Sequence, residues 1–211
     1  MNQSTYDPCL LYAHENGFGI VGVQTDDTLI LADETFAKTE ENKLRKAQFL
    51  SKEREKLTVN NPLKFNGGQI EQKGKSITLT QERHCHGLGN VNPEIVVLTS
   101  LRGIKRKGVN TKDQYVALRA RGAYVATVCQ PEAAYQLSAA AQVVNPGEEN
   151  VKKLNKILTW QTENASRGLR FIPLEDSLRL LIFTDSSFTN NPDCSSQIGY
   201  IIALADKYVS E

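Results

Sequence analysis

The chain has 211 residues, with 25 basic and 24 acidic side chains and a formal net charge of +1. That length bounds it to about one to one and a half domains, and the charge balance excludes a uniformly basic nucleic-acid arm or an acidic tail. With 40% hydrophobic and 23% charged residues it has the composition of a globular chain, and its longest apolar stretch, Ile198 to Ala205, is far short of a membrane span.

In chain order, the start Met1 to Pro8 has no basic residue and no apolar core, so no secretory leader is expected there. Cys9 to Ala13 is an apolar run that ends in a turn at Asn16-Gly17. Phe18 to Gln24 and Thr28 to Leu31 then predict two strands that flank a tight turn holding Asp26 and Asp27. From 35 to 57 the apolar residues Ala37, Leu44, Ala47, Leu50 and Leu57 recur near helical spacing among Lys and Glu, which predicts one surface helix ended by Asn60-Asn61-Pro62. Leu63 to Gln72 and Ser76 to Thr80 predict a hairpin around Lys73-Gly74, with a bulge or close backbone approach at Gly67-Gly68 inside its first strand.

Residues 81 to 112 carry little periodicity. Arg102, Lys105, Arg106 and Lys107 cluster with Gly103 and Gly108 as a basic loop. Asp113 is placed to cap a helix running through Val128. Pro131 fits the first turn of a second helix reaching about Val144. Asn145-Pro146 opens a third, with Val151, Leu154, Ile157, Leu158 and Gln161 on one face and Trp160 assigned to core packing. Gly168 marks its exit, and the last part returns to strands over Ser177 to Thr184 and Gln197 to Leu204.

The near-zero net charge is a sum of opposites. Residues 1 to 35 hold six acids and no base, and residues 172 to 211 hold six acids against two bases, which leaves the middle with a net of +11. Acidic ends around a basic middle point to cation sites at the ends and a polyanion between them; a mosaic of solvated faces is the alternative. The four cysteines, Cys9, Cys85, Cys129 and Cys194, lie too far apart for a CxxC pair, so free thiols are expected, with a cytoplasmic or nuclear and not secreted chain. His84-Cys85-His86 cannot turn three adjacent side chains toward one ion on a regular element and is not read as a metal site.

Asp26-Asp27 is the sharpest chemical feature. Two carboxylates held together repel, by about 4 kcal/mol at about 4 Å in an effective dielectric near 20. A divalent cation removes that cost, and Mg²⁺ takes one or two carboxylates together with substrate phosphates. A hairpin tip with two acids therefore suits metal-assisted phosphoryl transfer; an ordinary Asp-rich turn is the alternative.

The run Val21 to Leu31 around these acids resembles the palm hairpin of reverse transcriptases, and the wider pattern is similar to the copia-type LTR retrotransposon polyprotein through most of the chain. The residues that carry the likeness are Asp7-Pro8-Cys9-Leu10-Leu11-Tyr12, Phe65-Asn66-Gly67-Gly68-Gln69-Ile70, Arg121-Gly122-Ala123-Tyr124, Gln130-Pro131-Glu132, Phe183-Thr184-Asp185-Ser186-Ser187-Phe188 and Gln197-Ile198-Gly199-Tyr200. The resemblance implies an α+β fold with partial polymerase palm β-hairpins over residues 1–80, a helical thumb and connection over 81–168, and the truncated start of an RNase H-like β-sheet over 169–211. It implies RNA-directed DNA polymerisation by two-metal nucleotidyl transfer, with Asp26 and Asp27 as polymerase Mg²⁺ ligands and Asp185 as the first RNase H carboxylate. The implied partners are an RNA or RNA–DNA hybrid template-primer and dNTP, with no membrane. Arg102, Lys105, Arg106, Lys107, Lys112, Arg119 and Arg121 would track the nucleic-acid backbone.

The chain departs from the pattern in three places. Gln24-Thr25 stand where the family usually has Tyr-Val. The third palm aspartate is expected upstream of the first residue, and the further RNase H acids beyond the last. Little or no polymerase activity of the chain alone is therefore expected, and a noncatalytic nucleic-acid-binding remnant is the alternative function.

Overall fold

The computed structural model describes residues 1–15, 17–50, 52–93, 110–175, 177–189 and 194–206. They form an α+β chain with antiparallel sheets, divided into a unit of Met1–Arg170 and a unit of Phe171–Glu211.

In the larger unit, β1 (Asn2–Gln3), β2 (Leu10–Ala13), β3 (Gly19–Gln24) and β4 (Asp27–Ala32) form one antiparallel sheet in that order. Helix α1 (Glu34–Lys46) follows directly. Its N-cap, Asp33, accepts from the Phe36 and Phe18 amides at 2.7 Å each, so one carboxylate starts the helix and ties it back to the sheet. Phe36, which is buried, fills the space above Gly19, where any side chain would strike its ring.

The predicted helix over 35–57 ends eleven residues early, at Lys46. Gln48 takes a left-handed φ of 57°, which closes the helix, and Phe49 and Leu50 are exposed. The chain then runs back along α1, where Arg54 bonds the Ala37 carbonyl and pairs with Glu40. The heptad-like spacing of Leu50 and Leu57 is thus incidental.

β5 (Leu63–Phe65), β6 (Gly68–Lys73), β7 (Ser76–Thr80) and β8 (Leu169–Phe171) form a second sheet in that order. The predicted strand over 63–72 is two strands. Asn66 and Gly67 take φ of 48° and 72° and close a two-residue hairpin with Phe65 opposite Gly68, the turn that Asn-Gly favours because both centres need positive φ.

A short α2 (Glu82–His86), absent from the sequence reading, precedes three longer helices: α3 (Thr111–Val128), α4 (Ala134–Ala141), entered through a 3₁₀ turn at Pro131–Ala133, and α5 (Glu148–Glu163). The cap of α3 is Asn110, whose side chain accepts from the Asp113 amide at 2.8 Å, so Asp113 lies in the first turn and is not itself the cap.

The core sits among these helices. Tyr115, Leu137, Leu154 and Leu158 are each at most 1% exposed, and each such leucine contributes about 1.5–3 kcal/mol. Trp160 packs against this cluster. Asn155 of α5 both accepts from the Val91 amide (2.8 Å) and donates to its carbonyl (2.9 Å), which fixes the segment after α2 on the bundle.

The smaller unit is one hairpin of β9 (Arg179–Ser187) and β10 (Gln197–Ala205), paired antiparallel along all nine residues. Asp206, just past β10, accepts from the Glu175 amide at 3.0 Å.

Candidate functional site

The hairpin that carries Asp26 and Asp27 is built from apolar strands. Val21 is buried and Val23 half-buried on β3, opposite Ile30 and Thr28 of β4. Gln24 faces Asp27, so the loop proper is Thr25-Asp26 and Asp27 already belongs to β4. Both carboxylates are exposed. Thr25 has a φ of 52°, a left-handed conformation that costs a β-branched residue energy. Backbone strain of this kind clusters at functional sites.

Two adjacent carboxylates supply hard oxygen donors for one cation that also takes oxygens from a substrate. Among the described residues no group of three or more His, Cys, Asp or Glu is gathered where a metal could be held. The pair offers at most two carboxylates, too few for a cation held by protein groups alone.

Asp185 lies on β9 opposite Gly199, exposed, and accepts from the Ser186 amide at 2.9 Å. It belongs to the smaller unit, whereas Asp26 and Asp27 belong to the larger.

Of the basic residues, Lys112, Arg119 and Arg121 lie on α3; Arg102, Lys105, Arg106 and Lys107 lie outside the described residues. Seven residues make almost two full helical turns, so Lys112 and Arg119 share a flank of α3, whereas Arg121 is nearly half a turn away from Lys112. The buried stripe of Tyr115, Gly122 and Val125 runs between the two flanks. Lys112 donates to Asn145 Oδ1 at 3.2 Å.

The Arg121 flank borders a hollow of about 370 Å³ lined by His84, Leu88, Ala120, Arg121 and Tyr124. Its aromatic wall is ordered from below. The rings of His84 and Tyr124 meet at a centroid distance of 5.3 Å and an angle of 60°. His84 Nδ1 lies 2.5 Å from Gln81 Oε1, a contact that fixes the orientation of the imidazole. The Tyr124 hydroxyl donates to the Asn66 carbonyl at 3.1 Å. Gly67 leaves room for the imidazole, which a side chain there would strike. The sequence reading assigned Arg121 to nucleic-acid binding, named Tyr124 only within the run Arg121-Gly122-Ala123-Tyr124, and weighed His84 only as part of a rejected metal site. The available signal was the spacing of Arg121 and Tyr124 by one helical turn; the approach of α2 was not visible in it.

Comparison with protein-family models, with curated proteins and with solved structures finds no match. No described helix is long and apolar enough to cross a membrane.

Proposed function

We propose that this chain is a reverse-transcriptase-like nucleic-acid-binding fragment of copia type, with little or no polymerase activity of its own. The observation that carries the reading is the apolar antiparallel hairpin whose two-residue turn presents Asp26 beside Asp27 next to a strained Thr25. In this reading residues 1–80 correspond to part of a palm, 81–168 to thumb and connection, and 169–211 to the opening of an RNase H-like sheet. Asp26 and Asp27 would hold Mg²⁺, which when bound neutralises phosphate charge during nucleotidyl transfer. The turn's task is to keep both carboxylates in solvent, open to a dNTP phosphate and a primer end. Asp185 would be the first ligand of the second nuclease site.

A second reading, nucleic-acid binding with no catalytic role for the acids, is favoured by the hollow on α3. There a guanidinium stands beside two aromatic rings, the combination that grips a phosphate and stacks a base.

The test is binding of the 211-residue chain to a labelled RNA–DNA hybrid, run beside template-dependent dNTP incorporation with Mg²⁺. Salt-sensitive binding without incorporation is expected. Binding that weakens when Asp26→Asn removes Mg²⁺ dependence supports the first reading, and binding indifferent to Asp26→Asn but weakened by Arg121→Glu supports the second. No binding at low salt refutes both, and incorporation abolished by Asp26→Asn refutes the claim of inactivity.

A further inference from the structure

The β9–β10 hairpin is apolar on both faces. Leu180, Ile182, Phe183, Tyr200, Ile201 and Ile202 are each 58–71% exposed, and they alternate between the two sides of the ribbon. A two-stranded ribbon is at best marginally stable in water, and three or more strands are needed for independent stability. Among the described residues neither strand has a partner on its outer edge, and neither contains a proline to block pairing.

The two edges differ in what they specify. β10, Gln197 to Ala205, contains no charged residue, so charge selects no register along it. β9 contains one cation, Arg179, and one anion, Asp185, three residues to either side of Ile182. No ion pair among the described residues includes either, and both side chains are exposed. An antiparallel pairing of β9 with a second β9, centred on Ile182, sets Arg179 opposite Asp185 of the other copy at both ends of the joint. It brings Leu181 opposite Phe183 and Ile182 opposite itself. Opposed residues in an antiparallel pair point to the same face, so every charge meets its opposite on one side of the sheet. A shift of the register in either direction breaks both pairs at once.

We propose that the outer edge of β9 is a self-association surface, and that its partner is a second copy of this chain, joined in a two-fold antiparallel pairing about Ile182. The product is a four-stranded sheet in the order β10, β9, β9, β10. This inference is independent of the reverse-transcriptase reading, because it rests on the symmetry of charge along one strand.

The experiment is sedimentation equilibrium on the full chain and on two variants. The parent is expected to be a dimer. Asp185→Arg sets like charges against each other at both ends and is expected to weaken the dimer about tenfold or more. The double variant Arg179→Asp with Asp185→Arg exchanges the charges and is expected to restore parental affinity. As a second measurement, Ile182→Cys in a Cys9→Ser, Cys194→Ser background is expected to form an intermolecular disulfide, because paired Cα atoms across an antiparallel ladder lie about 4.5–5.5 Å apart, whereas Leu180→Cys is not. A monomeric parent overturns the proposal, including one whose β9 amides are protected from exchange by another part of the same chain. So does a dimer indifferent to Asp185→Arg, a double variant as weak as the single one, or equal crosslinking at 180 and 182.

Discussion

Cys85 and Cys129 share a small buried cluster with Val125 and Ala165, while Cys9 and Cys194 are exposed. Burial pushes the Cys129 thiol up from 9.0 to about 11 and also raises that of Cys85. The thiolate is the reactive form, so a thiol reagent at mildly alkaline pH should modify Cys9 and Cys194 quickly and the other two only after denaturant is added. Rapid labelling of all four in native buffer would contradict this burial. The fold prefers the neutral thiol of Cys129, so its contribution to stability is full below pH 9.0 and is lost as the pH rises toward about 11. Thermal melts should show that decline. Thr25 offers a second test at this scale. Its φ of 52° suits glycine far better than a β-branched residue, so Thr25→Gly should raise stability by up to about 1 kcal/mol, read from a denaturant melt. Residue identity alone disclosed the free thiols and the paired acids. It did not disclose the strain, because a turn's φ depends on the register of the strands around it.

At the scale of elements, α3 and α5 meet closely at Gly122. A methyl group added there would lie 2.8 Å from both Gln161 Oε1 and Leu158 Cδ2. The Gly122 carbonyl in turn accepts from Gln161 Nε2 at 3.0 Å, which bolts α5 to α3. Alanine is a better helix former than glycine by about 1 kcal/mol, but overpacking costs about 1–3 kcal/mol, and both neighbouring atoms are buried and held. Gly122→Ala should therefore destabilise the chain by about 1 kcal/mol net, measured as a lower midpoint of denaturation. The helices over 111–128 and 148–163 were legible because Leu154, Leu158 and Gln161 recur at helical spacing and because prolines punctuate the chain. The helix end at Lys46 was not, since Leu50 keeps the spacing while lying exposed. The Asn66-Gly67 turn was written in the sequence as a known signal, but Gly67-Gly68 was read as a bulge or close backbone approach inside one strand; the close approach is present, with the His84 ring against Gly67, whereas the strand turns back instead of bulging. The turn's docking under Tyr124 spans 58 residues, a separation that local pattern cannot reveal.

For the whole molecule, the charge arithmetic was legible from the start, whereas its layout was not. Lys112 and Arg119 lie on one flank of α3 and Arg121 on the other, so a duplex lying along a single flank engages one set only. Each neutralised phosphate contributes about −0.9 to the slope of log affinity against log salt. If the hollow is the contact, Arg121→Ala should reduce the magnitude of that slope by about 1, and Lys112→Ala should leave it unchanged. Fluorescence anisotropy across a salt series reads both. The opposite result would move the contact to the other flank.

β8 joins the second sheet beside β7, yet residues 81–168 lie between them. Closing so long a connection costs entropy before any pairing rewards it, and contacts distant in sequence slow folding. The helical bundle can form from nearby segments, so β8 is expected to arrive last. Arg170 reaches back from β8 to Ser76 Oγ through Nε at 3.3 Å and Nη2 at 3.2 Å. An interaction made after the rate-limiting step governs how fast the native state comes apart, not how fast it forms. Arg170→Ala should accordingly speed unfolding in stopped-flow measurements and leave the refolding rate nearly untouched. That places the kinetic lifetime of the larger unit in the hands of a three-residue strand.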